Sequence, residues 1–397
     1  MQVLVLVERG VAPAEIGLFF AVLALAAVLA ELPGGAVADV HGQRVAFCVG
    51  HLLMGMALVG FALAQDQVGF VVAAVALGVG RALDSGALEA WFVEEVLTSQ
   101  VDAGEAGRLT LGLSNGSLVN GLAVAAGAVT GGGLALLVAP VAGAGGLVGA
   151  SVPLLLGSAL LLGSAVLAAL RLGGGAPRPK VALLASLRQG AWTIRRSVAG
   201  VAVDPVLRRL LLRGFLAAAG LTVIHLAVPI RLELLLGEAG TAAVVLGFLY
   251  AGLFALQGLA ARCAPWLRHR VGARTSVVGL SLFAAACLAT LPWWGVTGLL
   301  VAALLCFAAI GPVAPLLAPL LHSRVVRAQR TGVLSVAALT RSGGTSAGSA
   351  LIGVFAATAF PVVALLGCGL VAASVVPLLC RAIADLSEPA GLGPPAG

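Results

Sequence analysis

Eleven runs of about 20 predominantly apolar residues follow one another along this chain, more than any water-soluble core can bury. They fall near residues 14–38, 45–64, 68–93, 109–138, 143–170, 210–230, 241–261, 275–292, 296–321, 331–356 and 359–380. Charged residues make up 10% of the chain, against about 25% in an ordinary soluble domain, so a water-facing surface cannot be covered. Strand-type alternation is absent, and in lipid only helices then satisfy every backbone group. The expected class is an all-α polytopic membrane protein. Many of the 54 glycines lie inside the apolar runs, where small residues let neighbouring helices approach closely.

The connections alternate in charge. Those after the first, third, fifth, seventh and ninth runs, with the C-terminal end, hold Arg44, Arg108, Arg171 to Arg213, Arg262 to Arg274, Arg324 to Arg330 and Arg381. The opposite connections hold Arg9 and Arg231. Setting those two aside, with Arg81 and Arg341 inside spans, leaves 19 of 23 Lys+Arg on one side. The positive-inside bias makes that side cytoplasmic, with the linker and the C-terminus there. The net charge of +7 is therefore a topology signal, and no nucleic-acid partner is expected. Cys48, Cys263, Cys287, Cys306, Cys368 and Cys380 form no CxxC pair and read as small packing residues rather than a disulfide framework or metal site.

This orientation places residues 1–13 outside. Met1–Val7 is too short to cross and has no basic leader, so it reads as the outer tip of a first helix that is otherwise missing. Restoring that helix gives twelve crossings, six per half. The long connection opens on Gly173-Gly-Gly-Ala-Pro177-Arg-Pro179-Lys180, a flexible break. Leu183, Leu184, Leu187, Trp192 and Ile194 then alternate with Arg188, Arg195 and Arg196. That composition suits either a helix on the anionic leaflet or a solvated linker. The domain organisation read from these features is an N-terminal bundle over 1–172, a linker over 173–206, a C-terminal bundle over 207–382 and a tail over 383–397.

Between the first two runs stands Gly35-Ala-Val-Ala-Asp39-Val-His-Gly42-Gln-Arg44. A faded copy follows 230 positions later, where Pro265-Trp-Leu-Arg-His269-Arg-Val-Gly272-Ala-Arg274 keeps the glycine and the second arginine. A repeated hairpin loop in so apolar a chain points to a transporter built from two related halves. The loop resembles the signature G-x-L-A-D-R-x-G-R-K between helices two and three of the major facilitator superfamily. Gly35, Asp39, Gly42 and Arg44 match it, while Val40 and Gln43 replace two usual basic residues. The resemblance implies the major facilitator fold, two six-helix bundles. It also implies that Asp39 and Arg44 latch the cytoplasmic side, Asp39 against the helix beginning at Thr331 and Arg44 against Glu94 or Glu95. Asp39 at a helix C-terminus opposes that helix's own dipole and is better placed at another helix's N-terminus. The plain alternative is a solvated loop that fixes topology.

A charge at mid-bilayer costs at least about 2.5 kcal/mol, so each one needs a reason. Arg81, Asp84, Ser85 and Glu89 share a helical face, and Arg81 can pair with Asp84 at i, i+3. The segment resembles the family's membrane arginine followed by a glycine, with the glycine one residue late. It reads as a gating arginine with Asp84 or Glu89 as proton acceptor, or as a structural pair. Glu31 lies about 12 Å deeper than Asp39, as a proton site or a protonated, hydrogen-bonded group. His225, and Arg341 with Ser342, Thr345 and Ser346, are further cavity candidates, as are Asn115, Asn120 and Gln257. Gly127-Ala-Val-Thr-Gly131-Gly132 resembles the antiporter signature G-P-x-x-G-G with Ala128 in place of the proline. Export by antiport, or glycines for helix packing, both account for it.

Gly112-Leu-Ser114-Asn-Gly116 fits G-x-S-x-G but opens an apolar helix instead of a strand-to-helix elbow, so no enzyme is expected. The function expected is secondary transport of a small organic solute by alternating access, proton-coupled efflux of amphiphilic compounds. An importer, or a non-transporting sensor or assembly protein of the same fold, is the alternative. The chain is expected in the plasma or inner membrane as a monomer, with the solute, protons and the bilayer as partners and no cofactor.

Overall fold

The computed structural model describes residues 2–85, 87–88, 91–92, 119, 122–135, 137, 149–172, 183–237, 239–317, 330–356 and 359–379. The elements are α1 Gln2–Glu8, α2 Pro13–His41, α3 Gln43–Leu63, α4 Gln67–Asp84, α5 Leu122–Ala135, α6 Ser151–Arg171 and α7 Leu183–Val203. There follow α8 Pro205–Leu236, α9 Ala239–Ala261, α10 Ala264–Arg270, α11 Ala273–Thr290, α12 Val296–Ile310, α13 Arg330–Ala356 and α14 Phe360–Ala373. The described residues hold no strand. Nine helices among them are long and apolar enough to cross a membrane. The expected run at 109–138 is described only as α5, and the run at 331–356 is the 27-residue α13, rich in serine and threonine. This is an all-α polytopic membrane protein.

Lipid as solvent is legible on single helices. On α4, Val68, Val72 and Val75 are exposed, while Phe70, Ala73, Ala74, Leu77 and Gly78 are buried. Both faces are apolar, so the 3.6-residue period sorts large lipid-facing groups from small packing groups rather than polar from apolar. α2 does the same with Leu18, Leu25 and Leu29 outward and Ile16, Phe19 and Leu23 inward. It runs on through Pro33 without ending.

Two compact units result. The first contains residues 1–193 and 229–251, the second residues 194–228 and 252–397. In the first, α4 packs between α2 and α3, and α3 packs on α6. The short α1 sits against α2 and α3 with Leu4, Val5 and Leu6 at 0% exposure. The end of α8 from Pro229 and the first part of α9 belong to this unit. In the second, α11 packs on α12 and α14, and α13 on α14. The expected connection over 171–209 contains the helix α7, on which Trp192, Arg188 and Arg195 are exposed. Arg213, placed above with the connections, is the ninth residue of α8.

Candidate functional site

The hairpin loop turns on one residue. α2 ends at His41, Gly42 adopts φ 101° and donates its N–H to Ala38 O at 2.9 Å, and α3 starts at once. That φ is open to glycine and strained for a side chain. Two residues on, Arg44 donates from Nη1 to Leu172 O at 3.0 Å and from Nη2 to Ala169 O at 2.8 Å. These are carbonyls at the C-terminal end of α6, which lack helical partners and carry the negative end of its dipole. The faded copy does the same work. Gly272 has φ 88°, and Arg274 donates from Nε to Leu378 O at 2.9 Å and from Nη2 to Leu379 O at 2.8 Å. Those carbonyls close the short 3₁₀ turn Val376–Leu378 that follows α14.

Both terminal nitrogens of Arg44 are thus bonded to backbone carbonyls at the end of α6. Glu94 and Glu95, its expected partners, lie outside the described residues, as does the Asp39 side chain. Gly35 is exposed, and a Cβ there would meet nothing within 4 Å. Packing does not explain that glycine.

Deeper in the same unit, three helices bring carboxylates and an imidazole together. His51 Nδ1 lies 3.5 Å from Asp84 Oδ1 and 3.2 Å from Phe47 O. Phe47 O is an acceptor, and so is Asp84 when ionised, so with that carboxylate charged Nδ1 is the donor of the ring. The ring stacks on Phe47 at a centroid distance of 3.9 Å. One residue along, Ser85 Oγ donates to Glu31 Oε1 at 3.2 Å. The cause of the His51–Asp84 contact is a glycine crossing. A Cβ at Gly50 would stand 2.8 Å from Gly80 O, and one at Gly80 would stand 2.8 Å from Gly50 O. The two backbones touch there, which draws α3 and α4 close enough for their side chains to pair. Eight residues separate His51 from the start of α3 and ten separate Glu31 from the end of α2. Both counts place the cluster about 12–15 Å in from the arginine-bearing side.

The expected Arg81–Asp84 pair is thus replaced. Asp84 pairs across helices with His51, and Arg81 is exposed on α4. Glu89, Asn115 and Asn120 lie outside the described residues. In the second unit His225 meets the edge of Phe307 at 5.7 Å and 83°. Gln257 gives its backbone carbonyl to a close approach by Gly311. Arg341 is exposed with its stem near Gly214. His51 escaped the sequence reading although it is the same signal as His225, a histidine within a span. Its partner stands 33 positions away and only the glycine crossing joins them.

Of the glycines resembling an antiporter signature, Gly132 has a packing role, and Gly127 has open space where a Cβ would stand. A Cβ on Gly132 would lie 2.5 Å from Ala243 O, and one on Gly247 would lie 2.4 Å from Ala128 O. α5 and α9 meet at backbone distance along this segment.

A family model described as Major Facilitator Superfamily matches residues 1–349. No curated protein matches the chain by sequence. Among solved structures, the nucleoside transporter NupG superposes with TM-score 0.70 at 15% identity, covering 96% of this chain and 93% of that one. A POT family transporter in complex with 5-aminolevulinic acid gives 0.68 at 13%, covering 96% and 88%. A D-xylose-proton symporter gives 0.64 at 15%, covering 94% and 88%. These likenesses fix the fold, and the model match over most of the sequence places this chain in the major facilitator superfamily of membrane transporters.

Proposed function

We propose that this chain is a proton-coupled secondary transporter that exports small amphiphilic organic solutes by alternating access, and that Asp84 and His51 carry the coupling proton. The observation behind the reading is the imidazole–carboxylate pair itself. Two ionisable groups on different helices, well inside a lipid-bounded bundle, are costly unless they are used. An imidazole changes charge near neutral pH, and a carboxylate 3.5 Å away alternately attracts or releases it. Glu31, tied to Ser85 next to Asp84, supplies a second acceptor on the neighbouring helix. A proton arriving at Asp84 breaks the attraction to His51 and so weakens the contact between α3 and α4. Coupling requires such a dependence of helix contacts on protonation.

The arginine-bearing side is cytoplasmic in this reading, by the positive-inside bias, and the membrane is the plasma or inner membrane. Direction rests on the resemblance of Gly127–Gly132 to the antiporter signature. Arg44 holds its hairpin loop to the end of α6 and Arg274 holds its own to the 3₁₀ turn after α14, while Asp39 is the proposed latch.

The test is solute-driven proton movement in liposomes holding the full chain and a trapped pH dye, challenged with cationic, neutral and anionic fluorescent amphiphiles. A solute that moves protons in the wild type should move none in Asp84→Asn, while solute exchange without a gradient continues. His51→Gln should shift the pH profile of transport. Unchanged proton movement in the double variant would remove the pair from coupling.

A further inference from the structure

The two units differ sharply in charge. Residues 194–228 and 252–397 contain 14 arginines and three acids, Asp204, Asp385 and Glu388. None of those acids lies within an apolar run. Asp204 accepts the N–H groups of Val206 and Leu207 at the start of α8, and the other two follow the last described residue. Among the described residues, the helices of this unit therefore hold cations and, beyond the capping Asp204, no carboxylate of their own.

Two of those cations have a buried guanidinium nitrogen with no acceptor. Arg213 on α8 donates from Nη2 to Ser281 Oγ on α11 at 3.2 Å, while its Nε is closed off from solvent with no acceptor. One helical turn earlier, Nη1 of Arg209 is buried in the same condition. The i, i+4 spacing puts both on one side of α8. α13 crosses α8 in backbone contact at this level, since a Cβ on Gly344 would stand 2.3 Å from Phe215 O. The crossing lays the stem of Arg341 against Gly214, 3.6 Å from where a Cβ would stand. Arg213 and Ser281 lie about 12 Å in from the starts of α8 and α11, and Arg341 about 16 Å from that of α13. Among the described residues no carboxylate comes within ion-pair distance of Arg209, Arg213 or Arg341.

Buried guanidinium N–H groups without acceptors are costly, and planar forks of donors match carboxylate and phosphate oxygens. We infer that Arg213 and Arg341, with Arg209 and Ser281 beside them, form a binding site for an anionic group, a carboxylate or phosphate, on the second unit. Arg213 supplies the buried donors and Arg341, exposed and free to move, closes on the ligand. In the transport reading on which this part rests, the exported solute carries that anionic group. An acidic lipid headgroup offers the same chemistry from the bilayer.

The test is equilibrium binding, which needs no gradient and so stands or fails apart from proton coupling. Full-length protein in phosphatidylcholine nanodiscs is titrated with inorganic phosphate and with benzoate, against chloride at equal ionic strength, and its thermal midpoint is followed. A saturable rise with either probe is expected, with affinity weakened about tenfold or more in Arg341→Gln and Arg213→Gln and partly kept in Arg213→Lys. A rise seen only when phosphatidylglycerol replaces phosphatidylcholine assigns the site to a headgroup. Should Arg213→Gln fail to fold, Arg341→Gln carries the test, because that side chain is exposed. No rise with any anion, or an equal rise in wild type and Arg341→Gln, overturns the site.

Discussion

Arg44 and Arg274, 230 positions apart in sequence, each donate two hydrogen bonds to backbone carbonyls, Arg44 at the end of α6 and Arg274 at the 3₁₀ turn that follows α14. Each follows a glycine with positive φ by two residues. The repeat is thus kept as a physical device even where its sequence has faded, a hairpin clipped to backbone carbonyls at or just beyond a helix end. Hydrogen bonds from a charged donor contribute roughly 1.5–3 kcal/mol when buried. Both of these are partly solvated, so each arginine should contribute about 1–2 kcal/mol. Arg44→Ala and Arg274→Ala should lower the thermal midpoint of the purified protein by similar amounts. The lysine variants should recover only part of the loss, because an ammonium lacks the guanidinium fork. A silent Arg44→Ala would mean that water caps those carbonyls equally well.

The spans were legible because lipid forces long apolar runs, and the hairpin turn was legible because only glycine fits at residues 42 and 272. What the sequence hid were partners. The carbonyl partners of Arg44 were hidden because the orphan acceptors of a helix end carry no residue signature. Asp84 was expected to pair with Arg81 by spacing along one helix. The approach of Gly50 to Gly80 instead brought His51 on the next helix nearer. Arg213 stands near the start of the expected run at 210–230, where a basic residue reads as the edge of a connection, and α8 starts five residues before that run at Pro205.

Glycines that look alike in sequence should differ in tolerance. Gly132→Ala and Gly247→Ala each drive a methyl into a backbone oxygen, at 2.5 and 2.4 Å, and should cost about 1–3 kcal/mol through forced separation of α5 and α9. Gly127→Ala and Gly133→Ala, with nothing within 4 Å of the added carbon, should be neutral or stabilise by up to about 1 kcal/mol. Thermal midpoints of the four variants check this. Equal effects across the set would contradict the packing account of the Gly127–Gly132 segment.

Glu8 offers a pH test outside the spans. Its carboxylate accepts the N–H of Ala150 at 3.2 Å. Burial pushes its pKa above the usual 4.5, against the pull of that hydrogen bond and of Arg9. The native state therefore prefers the neutral acid. Below the unfolded value both states are protonated and nothing is lost. As pH rises through that value, ionisation is favoured in the unfolded chain first, and stability falls until the native group ionises too. Glu8→Gln should raise the thermal midpoint at pH 7.5, and the difference from wild type should vanish as pH falls below 4.5. A variant less stable than wild type at pH 7.5 would show that the charge is wanted.

Orientation can be read from a native thiol. Cys263 is exposed in the turn between α9 and α10, flanked by Arg262, Arg268 and Arg270 on the arginine-bearing side. Cys287 and Cys306 are buried, and Cys48 and Cys368 are half-buried, so Cys263 should dominate labelling by a bulky membrane-impermeant maleimide. If the positive-inside bias governs this chain, that reagent should leave Cys263 unlabelled in intact cells and label it in inverted vesicles. Cys263→Ser supplies the background. Labelling in intact cells that disappears in Cys263→Ser would turn the protein over in the membrane. It would put the His51–Asp84 pair nearer the outer face and reverse the direction in which a proton reaching it is delivered.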